Sequence, residues 1–127
     1  MYLLFSHQLT ALQKQEAAAI LGVKNFIYLP CDLQQLWSNV PPHLPELGPY
    51  LRPLKQWLAI KAQEDDYLLI QGDFGATYIM VRWARQHGCY PIYSTSERKI
   101  VEEVHIDGKV ETRKVFAHCR FRLYQDE

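Results

Sequence analysis

The stretch Tyr67-Leu68-Leu69-Ile70-Gln71-Gly72-Asp73-Phe74-Gly75-Ala76-Thr77 decides the fold. Residues 67–70 are apolar without alternation, as a strand reads when both faces of its sheet are covered. The next turn holds two glycines and an aspartate. A helical stripe then follows, Ala76, Ile79, Met80, Trp83 and Ala84, closed by Gly88. A buried strand passing through a tight polar turn into an amphipathic helix is part of a parallel crossover unit.

The flanking sequence repeats this grammar. Upstream, residues 2–5 form a short apolar strand. Thr10 and Gln13 make a T-x-x-Q capping box for a helix running to about Leu21, with Gly22 in the left-handed position behind it. Residues 25–29 read as a second strand ended by Pro30. Asp32 is placed to cap a helix bearing Leu33, Leu36, Trp37 and Val40. The proline-rich residues 41–49 are a loop, and Leu51, Leu54 and Leu58 mark a third helix. Downstream, residues 90–93 read as a fourth strand and residues 94–99 as a polar loop. Two final strands, 100–106 and 109–124, flank Asp107-Gly108, a hairpin-turn dipeptide.

The expected fold class is α/β: one Rossmann-like domain over residues 1–127, with helices on both faces of a parallel sheet. A C-terminal antiparallel β-hairpin is appended at about 100–124. The favoured strand order, 2-1-3-4, puts the switch point between strands one and three; order 3-2-1-4 is the alternative.

Composition narrows the classes. The chain has 127 residues, 48% of them apolar, with 14 basic and 14 acidic side chains. A neutral surface lacks the basic footprint that long nucleic acid requires, though a small anion still fits a local pocket. Three scattered cysteines suggest neither a disulfide framework nor zinc, and the five histidines show no paired spacing, so no metal and no cofactor is expected. No apolar run approaches the roughly 20 residues of a membrane span. No leader is expected ahead of Ser6, so the expected location is the cytoplasm.

Ligands of open parallel sheets bind beyond the carboxyl ends of the strands. Three polar segments fall there. The first is Ser6-His7-Gln8, where His7 can move a proton near neutral pH and Ser6 can hold a phosphate oxygen. The second is Gln71 to Thr77, where Gly72 and Gly75 either let backbone approach a ligand or simply shape a turn. Asp73 there either caps the helix or meets a hydroxyl or base edge. No Walker lysine and no G-x-G-x-x-G is present. The third is Ser94-Thr95-Ser96-Glu97-Arg98-Lys99, with hydroxyl donors and two cations. In the last strand, alternation puts Ala117, Cys119, Phe121 and Leu123 towards the core. Phe116, His118, Arg120, Arg122 and Tyr124 face away, as a base-stacking and phosphate-gripping surface or an exposed or dimer-forming face.

Residues 5–10 (FSHQLT), 25–30 (NFIYLP), 71–77 (QGDFGAT), 91–95 (PIYST) and 116–122 (FAHCRFR) resemble those of a small Csx-type CRISPR accessory family. The resemblance spans nearly the whole chain and is most specific at 71–77. It implies a domain related to the Rossmann-like domains that sense cyclic oligoadenylate (the CARF type), in a prokaryotic homodimer. The implied activity is that of a type III CRISPR ring nuclease, which cleaves cyclic tetra-adenylate to linear di-adenylate by 2′-OH attack without metal and so ends antiviral signalling. On that resemblance Ser6, His7, Arg98 and Lys99 are the expected catalytic residues. Gln8, Gln71, Gly72, Asp73, Phe74, Gly75, Ala76, Thr77, Ser94, Thr95, His118 and Arg120 are the expected ligand contacts. A non-catalytic sensor or sponge for the same messenger is the alternative.

Overall fold

Strands and helices alternate along most of the chain in a computed structural model that describes residues 1–126. The elements are β1 (Tyr2–Leu4), α1 (Ala11–Leu21), β2 (Ile27–Tyr28), α2 (Cys31–Ser38), α3 (Gly48–Lys61), β3 (Tyr67–Ile70), α4 (Phe74–Gln86), β4 (Tyr90–Val104) and β5 (Val110–Leu123). They build one five-stranded sheet in the order β2-β1-β3-β4-β5. The pairs β1–β2, β1–β3 and β3–β4 are parallel, and β4–β5 is antiparallel. The expected order 2-1-3-4 is therefore found, with the hairpin strand added at the β4 edge.

Strand parity divides the core. Tyr2, Leu4, Leu68 and Ile70 point to one face and meet Leu33, Trp37, Leu51, Leu54, Leu58, Met80 and Ala84 from α2, α3 and α4. Leu3, Leu69, Ile92 and Phe121 point to the other face and meet Ala17 of α1 with Leu9 and Val23. Each fully buried leucine here contributes about 1.5–3 kcal/mol. Unalternated apolar runs in β1 and β3 thus reflect helices on both sides.

The capping box at α1 is complete: Gln13 N–H donates to Thr10 Oγ1 at 3.2 Å, and Thr10 N–H donates to Gln13 Oε1 at 2.8 Å. Gly22 closes the helix at φ 68°. Asp73 caps α4 by accepting from Ala76 N–H at 3.0 Å. Asp32, by contrast, does not cap α2. That helix starts two residues earlier than a cap at Asp32 would give, at Cys31 behind Pro30, whose carbonyl accepts from Gln34 N–H at 2.8 Å. Asp32 sits inside the first turn, where its charge still complements the helix dipole. Strand β2 is only two residues long, shorter than the 25–29 expected, because it lies at the sheet edge with β1 as its single neighbour.

The larger correction concerns residues 94–99, which are not a loop. They lie inside β4 and pair with β5 nearly to the hairpin tip. Polar residues tolerate this because the ribbon extends beyond the parallel sheet and leaves both faces wet. From Glu97 to Val104 it projects roughly 25 Å at the usual rise per residue. At the tip, Gly108 N–H donates to His105 C=O at 2.9 Å, with Gly108 at φ 83°.

Near its base the ribbon slips. Ser94 pairs with Phe121, but Ser96 pairs with His118, so Cys119 and Arg120 together oppose Thr95. This β-bulge breaks the period-two alternation. The expected inward set therefore fails: Phe121 is buried, but Cys119 and Leu123 are exposed, and His118 has turned inward.

Candidate functional site

The register brings the ends of β1 and β3 together. Leu4 C=O accepts from Gln71 N–H at 3.0 Å, so the segments after both strands leave the sheet side by side. Helices α1, α2 and α4 all begin at this end, each following a parallel strand. Their positive dipole ends surround the switch point expected to take an anionic ligand.

At the β1 end, Ser6 Oγ is hydrogen-bonded to Ser38 Oγ at 2.8 Å, and Gln34 Nε2 donates to Phe5 C=O at 3.0 Å. His7 is exposed, with its ring edge-on to Phe5 at 5.3 Å between centroids. Gln8 is also exposed. At the β3 end, Gly72 serves packing: a Cβ there would lie 2.9 Å from the Trp37 indole. Trp37 Nε1–H donates to Gln71 C=O at 3.1 Å, clamping α2 to the turn. Gly75 has ordinary room around it, and Phe74 stands 94% exposed beside it. Ala76 is buried, and Thr77 Oγ1 is buried without a hydrogen-bond partner among the described residues.

The densest polar network lies on the α1 face where β4 and β5 leave the sheet. Ser94 N–H donates to Gln71 Oε1 at 2.8 Å. Gln13 Nε2, from the same side chain that closes the capping box, donates to Ser94 Oγ at 3.3 Å. Ser94 Oγ is 2.5 Å from His118 Nδ1, and His118 Nε2 is 2.5 Å from Glu16 Oε2. Glu16 Oε1 accepts from Phe121 N–H at 3.0 Å. The His118 side chain is 3% exposed and that of Glu16 is 19% exposed. The bulge makes this possible by setting His118 and Phe121 on one face, their rings 4.7 Å apart.

Of the expected site residues, the structure joins Gln71 to Ser94 and Ser94 to His118. It carries Arg98 and Lys99 out along the ribbon, where Arg98 lies over the Phe116 ring at 5.6 Å. Thr95 Oγ1 donates to Arg120 C=O at 3.0 Å and accepts from Arg120 N–H at 3.2 Å, bridging the bulge. Glu16 was missed by sequence reasoning. Its signal is the i, i+3, i+4 set Gln13, Glu16, Ala17, which puts two polar residues on the sheet-facing stripe of α1.

The ribbon also assembles a group that sequence spacing does not show. Glu103, His105 and Glu111 offer ligand atoms within 4.8 Å of one another. Glu103 is already paired with Arg113, and His105 Nε2 lies 3.1 Å from Glu111. The group is largely exposed, so it reads as a cross-strand charge ladder.

These features define the class: an α/β protein with a mostly parallel sheet, polar groups gathered at the strand ends and a long antiparallel ribbon at one edge. Within that class the chain belongs to the uncharacterized protein MJ1673 family, which it matches over residues 1–122. It is 52% identical over 124 residues to the uncharacterized protein MJ1673 of Methanocaldococcus jannaschii, covering 98% of this chain and 95% of that protein. No solved structure matches it. No helix among the described residues is long and apolar enough to cross a membrane.

Proposed function

We propose that this chain is a Rossmann-like, CARF-related ring nuclease, acting in the prokaryotic cytoplasm on cyclic oligoadenylate messengers of type III CRISPR defence. One observation carries the reading: three helices begin around the β1/β3 switch point, beside the polar ends at Ser6-His7 and Gln71-Gly72. That arrangement suits a compact polyanion. The residue resemblance supplies the choice of cyclic tetra-adenylate. Attack by a ribose 2′-OH on the adjacent phosphodiester needs in-line positioning, charge stabilisation and proton transfer. His7 is the acid–base candidate and Ser6 the phosphate-orienting hydroxyl. Arg98, Lys99 and Arg120 are the cations assigned to the phosphorane, the first two lying out on the ribbon. A homodimer suits the two-fold symmetry of a four-nucleotide ring.

A sensor or sponge is the second reading. It is favoured by the separation of exposed His7 from Arg98 and Lys99, which lie out on the ribbon. The test is incubation with cyclic tetra-adenylate in EDTA, with products resolved by chromatography. Linear di-adenylate with a cyclic phosphate end is expected. Tight binding without product selects the sensor, and no binding overturns both readings.

A further inference from the structure

We propose that Ser94, His118 and Glu16 form a hydroxyl–imidazole–carboxylate relay that makes Ser94 Oγ a nucleophile towards phosphate-ester phosphorus. This goes beyond the ring-cleavage reading, in which the attacking oxygen belongs to the ribose and His7 moves the proton.

With a neutral imidazole the hydrogen bonds fix every role. Glu16, as a carboxylate, is acceptor-only: Oε1 takes the Phe121 N–H and Oε2 faces His118 Nε2 at 2.5 Å. The Nε2 position therefore carries the proton, leaving Nδ1 with a free lone pair. That lone pair faces Ser94 Oγ at 2.5 Å, so the Ser94 hydroxyl donates into it. One of the two lone pairs of Oγ faces the Gln13 Nε2 donor, itself oriented by the capping box, and the other is left for attack. This is the general-base arrangement of an activated serine, with the imidazole presenting Nδ1 to the hydroxyl. The His118 side chain is almost fully buried, and Glu16 and Ser94 are each half-buried.

Donors around Ser94 favour an anionic electrophile. Gln13 presents an Nε2 donor at Ser94 Oγ, Gln71 meets the Ser94 N–H with its acceptor Oε1, and the cation Arg98 follows on the same face of β4. The carboxylate of Glu16 is screened from the nucleophile by the imidazole. In the step itself, Ser94 Oγ forms a bond to phosphorus as its proton passes to His118 Nδ1. The ester P–O bond breaks, and its electron pair leaves on the ester oxygen, which takes that proton. Water then attacks the phosphoserine, giving a proton to His118 Nδ1; Ser94 recovers it as the P–Oγ bond breaks.

The test is labelling of the full chain with a fluorophosphonate, with the adduct located by peptide mass spectrometry. Here fluoride leaves in place of the ester oxygen. We expect one adduct, on Ser94, lost in Ser94→Ala and retained in Ser96→Ala. Glu16→Gln keeps the acceptor for Phe121 N–H but turns a donor towards His118 Nε2. That moves the imidazole proton to Nδ1 and removes the base. Labelling should slow by about a hundredfold or more with the thermal midpoint retained. No adduct on Ser94 in wild type, or an unchanged rate in Glu16→Gln, overturns the proposal. If Glu16→Gln does not fold, the ¹⁵N shifts of His118 in wild type decide: a proton on Nδ1 in the neutral ring also overturns it. Failure of the ring-cleavage reading shows separately, as absence of product from cyclic tetra-adenylate.

Discussion

Gly72 sits against the Trp37 indole with no room for a methyl group, since an added Cβ would lie 2.9 Å from two of the ring atoms. Gly72→Ala must push back Trp37, a 1% exposed residue bonded to the Gln71 carbonyl. A loss of about 1–3 kcal/mol in urea unfolding is expected, the usual cost of overpacking. An unchanged midpoint would return this glycine to a ligand-approach role. Alkaline pH probes four other residues. Burial pushes the Cys89 thiol and the hydroxyls of Tyr2, Tyr50 and Tyr124 above their ordinary values. All four are acids with raised folded pKa, so their contribution is intact below the unfolded values, about 9 to 10. It is lost as pH rises through the folded ones, because the unfolded chain ionises first. Tyr124 O–H also donates to Ile70 C=O at 2.6 Å, a bond that ionisation removes. The thermal midpoint should fall steadily above about pH 9, and Tyr124→Phe should flatten that fall.

Among the elements, α1 and the β4–β5 ribbon differ most in how legible they are. The capping box of α1 is a local pattern: Thr10 and Gln13 satisfy each other within one turn, so spacing alone reveals it. The ribbon is not local. Whether residues 94–99 form a loop or a strand depends on pairing partners more than fifteen residues away, and the bulge opposite Thr95 leaves no mark in composition. Unbroken alternation places His118 on the outer face, and the bulge turns it inward. The outer ribbon, with Ile100, Val104, Ile106 and Phe116 exposed, gains little from the body of the fold. Replacing residues 100–114 with Asn-Gly joins the cross-strand pair Lys99 and Val115 through a two-residue turn. Calorimetry should show a change of less than about 1 kcal/mol, a shift of roughly 4 °C or less. A larger loss would mean that the ribbon is part of the folding core.

The whole molecule pairs a small covered sheet with a long uncovered ribbon. Its charge balance is neutral, 14 against 14, so electrostatics do not hold copies apart. If the site works as a symmetric pair, sedimentation equilibrium should give twice the 14.9 kDa chain mass. Excision of residues 100–114 should return the mass to one chain if the ribbon makes the contact. A monomer in the full chain would sink the two-fold account of ring binding.

Sequence by itself determined the α/β class with a mostly parallel sheet, the capping box of α1 and the polarity of the strand ends, because periodicity, capping and turn chemistry act between near neighbours. The favoured strand order 2-1-3-4 is the one found, but it took the structure to choose it over 3-2-1-4. Tertiary structure alone decided that Gly72 serves Trp37, that residues 94–99 are a strand, and that Glu16, Ser94 and His118 meet. Those three residues come from α1, β4 and β5. Only the packing of α1 on the bulged ribbon brings them within hydrogen-bonding distance.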